Sequence, residues 1–190
     1  MELKIFENLS LENIKGEVWK DVLEYEDIYQ ISNKGRIKAK DRTIYYDSKI
    51  GAGIRPKKIH EKIRKQKINK HTGYLMVGFN GKGKSKNYTI HSLVGEAFLG
   101  YKRGQGKKGS ANSVNHKDGN KFNNCVENLE VVTLAENVRH MFKTGLSTTN
   151  HRVIYKDVEY YSKSEMRRKL KISYNKQNKL IEKGECVVIK

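Results

Sequence analysis

Between Ser113 and His140 the chain gathers two histidines, six asparagines and one aspartate, interleaved with short apolar runs. Such a set is either a decorated turn in a structural domain or the shell of a metal ion that does chemistry. The chemistry it would suit is hydrolysis of a phosphodiester. That reaction needs an activated water and relief of the negative charge on a departing oxygen. Histidine commonly supplies the first and a divalent cation the second. Asn115 and His116 are neighbours, and on a strand their side chains point to opposite sides. One can face a cation while the other faces the attacking water. Asn137 and His140 stand three apart, so on a helix they share a face. The two cysteines, Cys125 and Cys186, are far apart and form no Cys-x-x-Cys pair. They are too few for a disulfide framework or a thiolate zinc site, so metal ligands here would be oxygen and imidazole.

The elements that must position these residues can be read around them. "SVNH" is a brief strand, "KDGNKFNN" a turn-rich loop, and Leu129–Thr133 a second strand. Ala135–Lys143 has the composition of a helix that Gly145 can end. Upstream, "GYLMVGF" and "NYTIH" flank Asn80-Gly81 and predict a β-hairpin whose tip carries Lys82 and Lys84. A short helix follows over His91–Leu99, with Leu93, Val94, Ala97 and Phe98 on one face. "GYKRGQGKKGS" (Gly100–Ser110) is glycine-rich and basic, but it lacks the Gly-Lys-Ser/Thr ending of a nucleotide-binding loop.

Glu17–Lys40 predicts a small sheet with a turn at Asn33-Lys34-Gly35. Lys34, Arg36, Lys38 and Lys40 alternate there, which aligns them as a basic row on one face, suited to phosphate contact. Residues 51–72 are almost uniformly basic and predict an extended connector. In the tail, Ser162 and Glu165 form a capping box for a helix to about Leu170. Ser173 caps a second helix to about Lys183, which Gly184 ends. Two short helices joined by Lys171-Ile172-Ser173 match a helix-turn-helix, whose second helix would offer Tyr174, Asn175, Gln177 and Asn178 to a groove.

Charge bounds the partner. The 190 residues carry a net charge of +18, with 36% apolar and 32% charged residues. The excess is uneven: −5 over residues 1–33, +14 over 34–86, +3 over 87–150 and +6 over 151–190. A field of this kind attracts a polyanion, most commonly nucleic acid. No run of eighteen apolar residues exists and the start lacks a signal peptide's pattern, so a membrane partner is not expected and the cytoplasm is. The scarcity of apolar residues predicts small modules rather than one large core.

"VNHKDGNKFNNCVENLEVVTLAENVRH" resembles the HNH nuclease motif, a ββα-metal unit, in the form found in phage and intron-borne homing endonucleases. "VWKDVLEYEDIYQISNKGRIKA" resembles the modular motif that precedes such nuclease domains. The hairpin and helix of "GYLMVGF" and "IHSLVGEAFLG" resemble the lead-in, and the tail resembles the helix-turn-helix that often follows. The resemblance implies an α+β, modular and elongated protein. A DNA-binding β motif at 17–50 would be followed by a basic linker at 51–72, the HNH domain at 73–145 and a helix-turn-helix at 152–190.

It also implies that His116 is the general base and that Asn128 braces the loop and so orients it. Mg²⁺ or Mn²⁺ would be held by Asn115 and Asn137, with His140 a lesser candidate ligand. The position before the base is usually Asp or His in the family. Asn115 is a neutral amide, a weaker ligand for a hard cation. Asp118 lies close by, where Asp-Gly more commonly shapes a turn. The implied function is site-specific, metal-dependent nicking of double-stranded DNA by a monomer, in the cytoplasm of a bacterial host if the gene is phage-borne. The alternatives are a catalytically decayed DNA-binding protein or repressor, and an RNA-binding splicing helper.

Overall fold

The computed structural model describes residues 4–47, 53–81, 84–103, 112–145 and 152–189, with the backbone alone at Gly81 and Lys84. The chain divides into two compact units, residues 1–134 and 135–190. In the first, β1 (Trp19–Asp21), β2 (Tyr29–Ser32), β3 (Ile37–Ala39) and β6 (Lys62–Ile63) form an antiparallel sheet in that order. Its β2–β3 turn is the expected Asn33-Lys34-Gly35, with Gly35 at φ +81°. β4 (Arg42–Asp47) and β5 (Ile54–Ile59) pair as a separate two-stranded ribbon with mostly exposed side chains. β7 (Lys67–Ile68), β8 (Leu75–Gly81) and β9 (Lys84–Thr89) make a third sheet. Residues 51–72, expected as an extended connector, thus contribute strands to three sheets. Short strands with lysine at alternate positions read as linker because their apolar half is one residue each, Ile63 and Ile68 in β6 and β7.

α1 (Ile90–Phe98) buries Ile90, Leu93 and Val94. Gly95 is buried on the same helix, and a Cβ there would stand 2.6 Å from Val114 Cγ2. The missing side chain lets the helix lie close on β10 (Asn112–His116), which pairs antiparallel with β11 (Leu129–Thr133). One core unites these pieces. Tyr25, Tyr29, Ile31 and Ile37 pack with Leu75, Val77, Phe79, Leu93, Val114 and Leu129. Tyr29 and Phe79 stack with ring centroids 4.2 Å apart. Each fully buried large side chain contributes about 1.5–3 kcal/mol. The residues of the N-terminal motif and those of the hairpin carrying His116 therefore share one interior instead of forming separate modules.

The second unit takes in nearly all of α2 (Leu134–Lys143), followed by β12 (Arg152–Tyr155), β13 (Val158–Tyr160), α3 (Lys163–Leu170), α4 (Tyr174–Glu182) and β14 (Cys186–Ile189). Both tail helices stand at the expected caps. Ser162 Oγ accepts from Glu165 N at 3.0 Å, and Ser173 Oγ from Lys176 N at 3.2 Å. The intervening turn passes through Lys171 in the left-handed region, φ 52°. Met166 is fully buried and packs with Leu170, Ile172, Leu180 and Ile181. The sheet β13-β12-β14 was not foreseen. Its strands are three to four residues long and mix charge with apolar residues, which leaves little periodicity to see. Among the described residues no helix is long and apolar enough to cross a membrane.

Candidate active site

β10 ends at His116, and its register with β11 sets Asn115 opposite Glu130 and His116 opposite Leu129. Adjacent strand residues point to opposite sides, and here each has a distinct environment. His116 is 5% exposed and its Nε2 lies 3.1 Å from Asn124 Oδ1. The Asn124 Nδ2 faces the carbonyls of Lys121 and Phe122, both at 3.4 Å, so the amide oxygen is the end that meets the imidazole. An amide oxygen only accepts, which puts the His116 proton on Nε2 and leaves the Nδ1 lone pair as the basic site. Tyr74 stacks on the imidazole at 5.9 Å, and His91 meets it edge-on at 5.3 Å. Burial pushes the His116 pKa below its ordinary value; the Asn124 hydrogen bond and nearby Asp118 work against that shift without cancelling it. The ring is therefore neutral at neutral pH. Burial, with His116 beside it, drives His91 further, to about 3.

The loop between the strands is held by its own small polar side chains. Asn128 Nδ2 donates to Asp118 Oδ1 and to Asn123 O, each at 2.9 Å, and Asn128 Oδ1 accepts from Asp118 N at 3.1 Å. Asp118 also accepts from Asn120 N and Asn123 Nδ2, both at 2.8 Å. Partial burial opposes the Asp118 charge, but these donors outweigh it and hold the carboxyl below its ordinary pKa. Asn128 thus ties the loop together, while the side chain directly on His116 is Asn124. Residue type alone did not separate Asn124 from Asn123; only the fold turns one inward and the other toward Asp118.

The N-terminal turn props this loop from behind. Gly35 packs so tightly that a Cβ would stand 2.8 Å from Asn124 Cβ, and Val126 N donates to Asn33 O at 2.8 Å. Lys34 pairs with Glu127 at 2.9 Å.

The basic row needs correction. Arg36 is fully buried and chelates the buried Glu17: Nε donates to Oε1 at 2.8 Å, and Nη2 pairs with Oε2. Its Nη1 and Nη2 also donate to the carbonyls of Ser10 and Glu12, at 2.7 and 2.8 Å. Burial opposes the Glu17 charge, yet the Arg36 hydrogen bond and the Ile14 N–H leave its pKa lowered. Lys38 sits over the Trp19 ring at 4.7 Å, and Lys40 pairs with Asp21 at 2.6 Å. Residues 10–21 cover Arg36, Lys38 and Lys40, and Glu127 takes Lys34, so the row is not a free basic face. Lys82 lies outside the described residues, and Lys84 is described in its backbone only.

Gln177 also leaves its expected role. It is fully buried, with Oε1 accepting from Arg167 Nη1 and Nε2 donating to Lys163 O, both at 2.7 Å. It ties α4 to α3 and has no face toward a groove. Tyr174 and Asn175 are exposed and Asn178 is partly so. Asn137 and His140 lie on α2, in the part that belongs to the second unit, both partly exposed.

Asn115 is 6% exposed and its Nδ2 donates to Glu130 Oε1 at 2.8 Å, which leaves its Oδ1 for another partner. Among the described residues no group of three His, Cys, Asp or Glu side chains converges as a ready metal cage. The oxygen donor here is the Asn115 amide, with the Glu130 carboxylate beside it, a setting that suits a hard, partly hydrated cation such as Mg²⁺.

A buried histidine at the end of a strand, with Nε2 held by an asparagine of the following loop, can accept a proton at Nδ1. Residues 17–80 match the NUMOD4 motif. The SPbeta prophage-derived YosQ of Bacillus subtilis (strain 168), a protein of the HNH homing endonuclease type, is 45% identical over 87 residues, 45% of this chain and 46% of YosQ. The DNA endonuclease I-HmuI of Bacillus phage SP01 is 36% identical over 128 residues, 67% of this chain and 59% of I-HmuI. A solved structure of I-HmuI aligns with 90% of this chain and 97% of its own at 28% identity, with a TM-score of 0.49. The chain is a sequence relative of the HNH homing endonucleases, and it spans about half the length of the curated relatives it matches.

Proposed function

We propose that the protein is a site-specific DNA endonuclease of the homing type that hydrolyses one phosphodiester per site, with His116 as general base. The observation that carries this reading is the state of His116: neutral by burial, with Nε2 committed to Asn124 and no hydrogen bond at Nδ1 among the described residues. Nδ1 takes a proton from water as that water attacks phosphorus in line, and Asn124 keeps the ring from turning. Asn115 would hold Mg²⁺ or Mn²⁺ through its free amide oxygen, and the motif alone names Asn137, with His140 a second choice on the same helix, as the further candidate ligand. When bound, the cation supplies positive charge to the phosphoryl transition state and to the departing 3′ oxygen. The products are a 5′-phosphate and a 3′-hydroxyl. With one such site per chain, a monomer nicks.

Sequence reading falls to the tail as a helix-turn-helix, through Tyr174, Asn175 and Asn178 at the start of α4. The exposed lysines and arginines of β4–β7 hold the backbone. The setting is the cytoplasm of a bacterial host. The name of the relative I-HmuI, a DNA endonuclease, supports DNA as the substrate.

The test is cleavage of supercoiled plasmids carrying phage-derived inserts, with Mg²⁺ or Mn²⁺, by wild type and His116→Ala. Wild type should produce nicked circles that chelation of the metal abolishes. His116→Ala should bind the same DNA and cut at least 100-fold more slowly, the lower range for loss of a general base (~10²–10⁴). A variant that cuts as fast as wild type removes His116 from the mechanism.

A further inference from the structure

Asn115 and Glu130 face each other across β10 and β11. The Asn115 Nδ2 donates to Glu130 Oε1 at 2.8 Å. A carboxylate only accepts, so the nitrogen end of the amide must face it and the oxygen end is aimed elsewhere. Asn115 is nearly buried, while Glu130 is partly exposed. Residue 115 carries no charge, and a neutral amide is a weak ligand for a hard divalent cation. A hydrogen bond from the amide nitrogen to an anion shifts electron density toward the amide oxygen. Partners of this kind orient a ligand and raise its basicity.

Resting on the nuclease reading above, we propose that Glu130 is a positioning residue of the metal site. Its carboxylate aims Asn115 Oδ1 at the cation and supplies the negative charge that residue 115 lacks. In effect the acid of the site stands one strand over, and the amide transmits it. A cross-strand pair that only joined the hairpin would contribute to stability and nothing else. Direct metal binding separates these roles.

The experiment titrates Mn²⁺ into the full-length chain and follows free Mn²⁺ by electron paramagnetic resonance, with the unfolding midpoint of each variant measured alongside. Glu130→Ala should weaken Mn²⁺ binding about 10- to 100-fold, the usual cost of losing such a partner. Glu130→Gln, which keeps an acceptor and loses the charge, should weaken it less. The exchange Asn115→Asp with Glu130→Gln should return affinity to within a few fold of wild type, because the amide then donates to the carboxylate in the opposite direction. If Glu130→Ala binds Mn²⁺ like wild type while Asn115→Ala does not, the proposal falls and the metal reading stands. If Asn115→Ala also binds like wild type, both fall. A Glu130→Ala loss that tracks a lowered unfolding midpoint and is not recovered by the exchange also overturns the proposal, since it marks a structural pair.

Discussion

His116 works, in this reading, because its burial and two neighbours make it a particular histidine. Burial keeps it neutral, Asn124 fixes which nitrogen carries the proton, and Tyr74 limits the tilt of the ring. Removing one of these should change the chemistry in its own way. Asn124→Leu keeps the bulk and abolishes the acceptor, so the imidazole loses its preferred tautomer. Cleavage at pH 7 should fall about 10- to 100-fold, a fraction of the general-base contribution, with DNA affinity unchanged. Asn124→Asp keeps the acceptor and adds a negative charge, which favours the imidazolium.

With His116 as the base, burial holds its pKa below the ordinary 6.5, so activity should fall as pH drops through that lowered pKa. In Asn124→Asp the acid limb of the pH–rate profile should move upward. A limb that stays in place in both variants would mean that the titration belongs to another group. His116 and its flanking asparagines were legible from residue types and order. Asn124 as its partner was not, because two adjacent asparagines in a loop offer no periodicity to tell which one turns inward.

The elements differ in how much of themselves the sequence displays. The tail helices are written in local code: Ser162 and Ser173 as caps, Gly184 as a stop, and apolar residues at helical spacing. They formed as read. The N-terminal sheet was legible as strands, but the cover over its basic face was not. That cover comes from Ser10 to Asp21, and nothing local in Arg36 says that Glu17 will be buried against it. Alternation places a side chain on a face; it does not say whether the face is wet. Gln177 makes the same point on a helix, where its position promised a groove and packing turned it into a bracket.

Arg36 lets the two readings be separated. Arg36→Met should leave the Glu17 carboxylate buried and unpaired and lower the unfolding free energy by about 3–5 kcal/mol, measured by denaturant titration. A phosphate-contacting arginine would cost DNA affinity and leave stability untouched. The contribution of Glu17 also has a pH signature. It is present above pH 4.5 and is lost as pH falls through its lowered pKa, so wild type and Arg36→Met should converge in stability in acid.

Across the whole molecule the net charge of +18 is real, but its usable part is not where the alternating row placed it. Lys34 and Lys40 pair with Glu127 and Asp21, and Arg36 with Glu17. Among the described residues of the most basic third, the exposed cations on β5 to β7 and beside them include Arg55, Lys57, Lys58, Lys62, Lys65, Lys67 and Lys70. The ribbon of β4 and β5 also exposes Tyr45 and Ile54, so its lysines stand on an element that the core does not use. If these residues neutralise phosphates, each contact releases condensed counterions. The logarithm of the DNA association constant then falls with the logarithm of salt concentration by about 0.9 per phosphate contacted. Binding of the proposed target measured between 50 and 200 mM salt should therefore weaken steeply. Exchanging Lys57 and Lys58 for alanine should lower the slope by about 1–2 and weaken all DNA sequences alike, because phosphate contacts carry no sequence information. The same exchange made at Lys34 and Lys40 should leave the slope close to wild type, since those charges are already spent on Glu127 and Asp21. A slope near zero in the unmodified protein would remove the electrostatic basis for a polyanion partner altogether.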